Sequence, residues 1–274
     1  MIRCLTAILL LGITSGVIAG EFSSRFSLVL IDDKTEQHLG NFPYDRSVYA
    51  QAINACAHYE VKAVILKFFL DLPKSKTGDS ELTEAMRKIP VILQARLNTP
   101  DGTMREIPKK FALQQPEVAA GYHGKNGWIP LAEFMQTAQG IGFVDFSSVE
   151  KIPLTEEYNS IIYPSLIVYC LELATGKKAV FSSQNTVKFG NHTLTVNESN
   201  IYSGTINHWQ TIPHLSLVDL MEHKTPQEDL KGKIVILGWD TSKTPTIETK
   251  HGPRRVHRLF AQCLAVAYND LIAD

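Results

Sequence analysis

The sequence predicts a three-layer α/β domain with a mainly parallel sheet and an antiparallel addition in the middle of the chain. Two observations carry that expectation. Short β-branched runs alternate with segments whose apolar residues recur at helical spacing, the pattern of strands returning to one sheet through helices. Between about residues 152 and 203 this alternation gives way to runs rich in Thr, Val and Asn-type turns, which suit short antiparallel strands.

In chain order, residues 26–31 form the first strand, ending at Asp32-Asp33. A connection punctuated by Gly40 and Pro43 leads to a helix from about Arg46 to Tyr59, with Tyr49, Ala52, Ile53 and Cys56 on one face. Residues 63–70 have the length and composition of a buried strand, so strand, helix and strand make a βαβ unit with parallel strands. Asp79 suits the cap of a helix carrying Leu82, Ala85 and Met86, which returns through Pro90 to a strand over residues 91–97. The turn Thr99-Pro100-Asp101-Gly102 opens a polar excursion over residues 103–125 that reads as lying outside the core. Pro130 suits the first turn of a helix bearing Leu131, Phe134, Met135 and Ala138, and Gly140 ends it before a strand over residues 141–146. Residues 152–163 read as a hairpin turning at Asn159-Ser160, residues 164–175 as a helix that Gly176 terminates, and residues 179–203 as a meander or flap. A short helix over residues 216–221, a buried strand over 233–237 and an amphipathic helix over 256–269 complete the order.

Composition narrows the function classes. The chain has 274 residues, 44% hydrophobic and 20% charged, enough to bury a full core. Its 27 basic and 28 acidic side chains give no global positive field, which argues against nucleic acid as a partner. Arg3 is followed by an uncharged run and then by Ser15-Gly16-Val17-Ile18-Ala19, so residues 1–19 read as a secretory signal cleaved before Gly20. The rival reading is an uncleaved signal anchor. Either one places the domain over residues 20–274 outside the cytoplasm, periplasmic or secreted. Cys56, Cys170 and Cys263 are odd in number, widely spaced and set in apolar helical patterns; they read as small buried hydrophobes, with one bridge left open.

Open parallel sheets bind ligands outside the carboxyl ends of their strands. Those ends carry Asp32, Asp33, Asp71, Arg96, Asp145, Trp239 and Asp240. Arg46 opens a helix near Asp32, where an ion pair between them would hold the Phe42-Pro43-Tyr44 loop; recognition of an anionic ligand is the sharper role. His257 lies with His251, Arg254, Arg255 and Arg258 at the start of the last helix, where the helix dipole disfavours cations, so an acidic neighbour is expected. Tyr122, Trp128 and Trp209 fall in polar segments and suit either a binding surface or an edge of the core. The sequence has no His-Glu-x-x-His, metal-finger, Walker or Gly-x-Ser-x-Gly pattern, so no catalytic residue, metal or cofactor is expected. Asp32 and Asp33 superficially suit a hydrolase loop, but their adjacent spacing suits a turn cap better.

Several blocks in order resemble the CHASE type-two domain, an extracytoplasmic sensor module of bacterial histidine kinases, nucleotide cyclases and related receptors. They are Leu28-Val29-Leu30-Ile31-Asp32-Asp33-Lys34, Phe42-Pro43-Tyr44-Asp45-Arg46-Ser47-Val48-Tyr49, Lys62-Ala63-Val64, Ile141-Gly142-Phe143-Val144 and Tyr163-Pro164-Ser165-Leu166. Tyr202-Ser203-Gly204, Leu230-Lys231-Gly232-Lys233-Ile234-Val235-Ile236-Leu237-Gly238 and Val256-His257 continue the series. The resemblance implies a sensing domain without catalytic activity. This chain departs from it with Lys67 where the family has an acidic residue, with Thr241-Ser242-Lys243-Thr244-Pro245 in place of a Gly-Asp step, and by stopping at Asp274 where the family continues into membrane helices and an output domain. The expectation is a non-enzymatic sensor that binds a small ligand or an envelope or membrane protein, closes its antiparallel flap over the strand ends and signals in trans, with homodimerisation an open partner choice. Asp32, Asp33, Arg46, Asp71, Asp145, Asp240 and His257 are the candidate ligand-binding residues. The alternatives are a structural or assembly protein of the envelope and, more weakly, a degenerate hydrolase using Asp32 or Asp33.

Overall fold

The computed structural model describes residues 21–115, 118–146, 150–204, 206 and 209–273. The expected signal, residues 1–19, lies outside the described residues. β1 (Phe26–Ile31) leads into α1 (Asp33–Leu39), a helix hidden from sequence by its polar composition and the following Gly40 and Pro43. Asp32 starts it, accepting the Thr35 N–H at 2.9 Å as an N-cap. α2 (Arg46–His58), β2 (Ala63–Leu66), α3 (Lys76–Met86) and β3 (Val91–Leu97) follow. Ser75, not Asp79, caps α3, accepting the Gly78 N–H at 3.0 Å; Asp79 sits inside the first turn and is buried.

β4 (Tyr122–Gly124), β5 (Gly127–Trp128), α4 (Ala132–Thr137) and β6 (Gly140–Phe143) come next. The supposed excursion is part of the fold: Ile107 and Phe111 are in the core, and β4 pairs in parallel with a later strand. Polar composition misled there because the few apolar residues are the ones that anchor the segment. β7 (Lys151–Pro153), β8 (Thr155–Tyr158), β9 (Ile161–Pro164) and α5 (Leu166–Thr175) follow. The β8–β9 hairpin turns on Asn159 and Ser160, with φ of 50° and 63°, the left-handed pair that matches strand twist. β10 (Ala179–Ser182), β11 (Thr186–Phe189) and β12 (His192–Thr195) form the antiparallel meander, and β13 (Ile201–Ser203) pairs back to β7. β14 (His214–Ser216), α6 (Leu217–Met221), β15 (Ile234–Trp239), the small pair β16 (Thr246–Ile247) and β17 (Arg254–Arg255), and α7 (Val256–Ala273) close the order.

The central sheet runs β14-β1-β15-β2-β3, all parallel, with β6 parallel beside β3. β5 is its antiparallel member, pairing Trp128 with Arg96 at the carboxyl end of β3. The period of two along each strand divides the core into two layers. Val29, Ile31, Val64, Leu66 and Leu93 pack under α2, α3, α4 and α6. Leu28, Leu30, Ile65, Ile92 and Ile236 pack under α5 and α7. The meander adds Val187, Phe189 and Leu194 to that second layer. It packs on a face of the body, against α5 and α7. Cys56, Cys170 and Cys263 are buried, and no disulfide joins them. Among the described residues no helix is long and apolar enough to cross a membrane.

Candidate functional site

A cavity of about 530 Å³ opens at the carboxyl ends of the middle strands. A larger hollow of about 690 Å³ lies elsewhere, beside Val91 at the opposite end of β3, and is a shallow groove between α3 and α4 lined mostly by polar side chains. The cavity wall is built strand by strand. Trp239 comes from the end of β15, Lys67 and Phe68 follow β2, Gln94 and Arg96 lie on β3, and Val144 and Phe146 follow β6. Phe42 enters from the loop before α2, stacking on Trp239 with ring centroids 4.3 Å apart and lying near Phe68 at 5.8 Å. Trp128 of β5 forms the rim, with the Arg96 guanidinium 5.7 Å from its ring.

Two buried cations occupy opposite sides of the sheet edge. Arg46, at the start of α2, pairs with Asp79 of α3 at 3.2 Å and donates to the Leu72 carbonyl. Its partner is therefore Asp79, not Asp32 as the sequence suggested, and what it ties down is the segment after β2. Lys74 holds the Phe42-Pro43-Tyr44 loop instead, donating to the Tyr44 carbonyl at 2.7 Å. Lys67 continues the side of β2 that faces α5 and α7, following Ile65 at the period of two. Its side chain is 5% exposed, and its ammonium nitrogen sits 3.8 Å from the centroid of the Phe260 ring. Among the described residues no carboxylate pairs with it. Burial pushes its pKa down to about 7.

His257 stands next to it at the start of α7. The Trp239 N–H donates to His257 Nδ1 at 2.7 Å, so the neutral ring carries its proton on Nε2. Burial, then the charge of Lys67, pushes its pKa down to about 3. Gly238 makes this contact possible, because a Cβ there would come within 2.4 Å of the His257 ring. The acidic neighbour expected for the basic cluster is Asp240, which is buried and pairs with Arg255 at 3.0 Å and Arg258 at 2.6 Å. Arg254 lies over the Trp209 ring at 4.6 Å, and His251 meets the Ile206 carbonyl at 2.7 Å; neither lines the cavity.

Of the sequence candidates, Arg46 and His257 line the cavity, together with Arg96, Trp128 and Trp239 from the strand-tip and aromatic sets. The acids occupy structural posts around it. Asp32 accepts from the Thr35 and Ser216 hydroxyls, both at 2.8 Å, as well as capping α1. Burial opposes its ionisation, but the Thr35 N–H and these hydroxyls together hold its pKa below the ordinary value. Asp33 is exposed on the first turn of α1. Asp71 contributes its carbonyl to Arg105 at 3.2 Å. Asp145 accepts the Leu97 N–H at 2.9 Å and lies 3.8 Å from Arg96. Beside it Glu156 of β8 is completely buried, its pKa pushed well up by burial and then by Asp145. Lys67 entered the sequence reading only as a family departure; a lone lysine between Leu66 and Phe68 in an apolar run was the signal that marked it.

The chain is thus a layered α/β body with a part-aromatic cavity at its strand tips, the place where open parallel sheets hold their ligands. The CHASE2 domain model matches residues 13–249, most of the chain, and the protein belongs to that family of extracytoplasmic sensor domains. Comparisons with curated proteins and with solved structures gave no match.

Proposed function

We propose that this sensor domain works outside the cytoplasm, binds a small ligand in the strand-tip cavity and signals in trans to a protein that reads the ligand-bound shape. The observation that supports this reading is the cavity: about 530 Å³, within the range of small-ligand sites, aromatic-walled and reached from the ends of β15, β2, β3 and β6. Arg46 and His257 are its binding groups from the sequence set; Asp145 stands behind the lining Arg96, and Asp32, Asp33, Asp71 and Asp240 do not line it.

A thermal-shift screen of the purified protein against small metabolites is expected to find a ligand that raises Tm, because selective binding to the folded state stabilises it by mass action. Val144→Trp fills the cavity from the β6 side and is expected to abolish that shift. A stabilising ligand that acts equally on Val144→Trp, or silence across a broad screen, would count against the reading.

A further inference from the structure

We infer that the cavity takes a small organic monoanion, a carboxylate on an aromatic or otherwise apolar body, with the carboxylate meeting Lys67 and the body lying between the aromatic walls. The inference rests on the cavity being the ligand site and adds the chemistry of what enters it. It follows from a count of charges. The lining contains Arg46, Lys67, Lys74 and Arg96 but no Asp or Glu. Arg46 has Asp79 at 3.2 Å, Arg96 has Asp145 at 3.8 Å, and Lys74 donates to the Tyr44 carbonyl at 2.7 Å. Lys67 alone, 5% exposed, is left with a ring face and two buried thiols, Cys170 and Cys263. An isolated buried ammonium is costly unless paired, and here its open side is the cavity. Of the four, Lys67 is the one with neither a carboxylate nor a carbonyl, and that one buried cation calls for one negative charge. The rest of the wall, from Phe42, Phe68, Trp239 and Phe260, offers stacking surface to an apolar body and little to a polyanion.

The lysine is also a gate on affinity. With its free pKa near 7, the amine must hold its proton to receive the anion, so binding takes up a proton once the solution is above that value. The other groups facing it do not titrate in that window: His257 is neutral above about 3, and burial pushes the thiols of Cys170 and Cys263 upward.

Three probes of one shape test this: biphenyl-4-carboxylate, biphenyl-4-methanol and biphenyl-4-methylamine, titrated into the purified protein and followed by tryptophan fluorescence and calorimetry. At pH 6 the carboxylate is expected to bind about tenfold or more tightly than the alcohol, and the amine more weakly than either. Each pH unit above 7 is expected to weaken the carboxylate about tenfold while leaving the alcohol unchanged, a result that needs only the native protein. Lys67→Met is expected to bring carboxylate and alcohol within about threefold of each other. Equal binding of carboxylate and alcohol by the native protein, or a preference that survives Lys67→Met, overturns the anionic class and leaves the cavity as a ligand site. Binding of none of the three overturns both.

Discussion

The two cations at the edge of the sheet, Arg46 and Lys67, are buried to similar depth, 2% and 5% exposed, and have opposite surroundings. Arg46 lies on the α2–α3 side with a carboxylate and a carbonyl as partners. Lys67 lies on the α5–α7 side among a phenyl ring, two thiols and a neutral imidazole. The first is an ionic joint between two helices and the loop after β2. The second is an open valence that the folded chain leaves unfilled. A buried charge whose partner is built in supports the scaffold, whereas one lacking its partner points to something that arrives later.

Removing the partner from the ionic joint should make it resemble the open valence. Asp79→Asn leaves the Arg46 charge buried and uncompensated, with an expected loss of about 3 kcal/mol in denaturant unfolding. Removing the charge from the open corner should act in the other direction. Lys67→Met is expected to stabilise the fold by about 2 kcal/mol at pH 6, measured the same way. The sign follows from the proton balance. In the folded chain Lys67 titrates near 7, below its unfolded value of 10.5, so the cost of burying the cation is complete below pH 7 and fades as pH rises toward 10.5. The advantage of Lys67→Met should fade over the same range; a gain independent of pH would show that the ammonium is not what the substitution relieves.

Glu156 is the acidic counterpart, and its effect should be the smallest. Its folded pKa is raised, so the native chain loses stability as pH rises from the ordinary glutamate value, where the unfolded state gives up its proton and the fold does not. Glu156→Gln is expected to be neutral at pH 4 and to gain about 1 kcal/mol at pH 7. A loss at pH 7 would mean that the folded protein ionises Glu156 and has a use for the charge.

The legible part of this fold was the part governed by periodicity. β1, α2, β3, α5 and β15 are apolar at regular intervals, and their order was enough to indicate parallel strands and a crevice at the tips. Elements held by a few contacts were not legible. α1 depends on the Asp32 cap and carries a single buried residue, Thr35, so no hydrophobic face announces it. The segment through Ile107 and Phe111 is anchored by those side chains within a polar sequence. At the site, the end of each strand told where to look but not which neighbours would meet. Asp79 lies in a helix of its own, and its pairing with Arg46 depends on how α3 docks on α2. The role of Lys67 depends still more on tertiary structure, because an amine becomes unusual only through what surrounds it.

His257 and Phe260 both touch the cavity from the first turns of α7, and the other end of that helix carries Asp270, which receives the Tyr202 hydroxyl of β13. Eighteen residues of helix make a rod about 27 Å long. One rigid element therefore joins the cavity wall to β13, which pairs with β7.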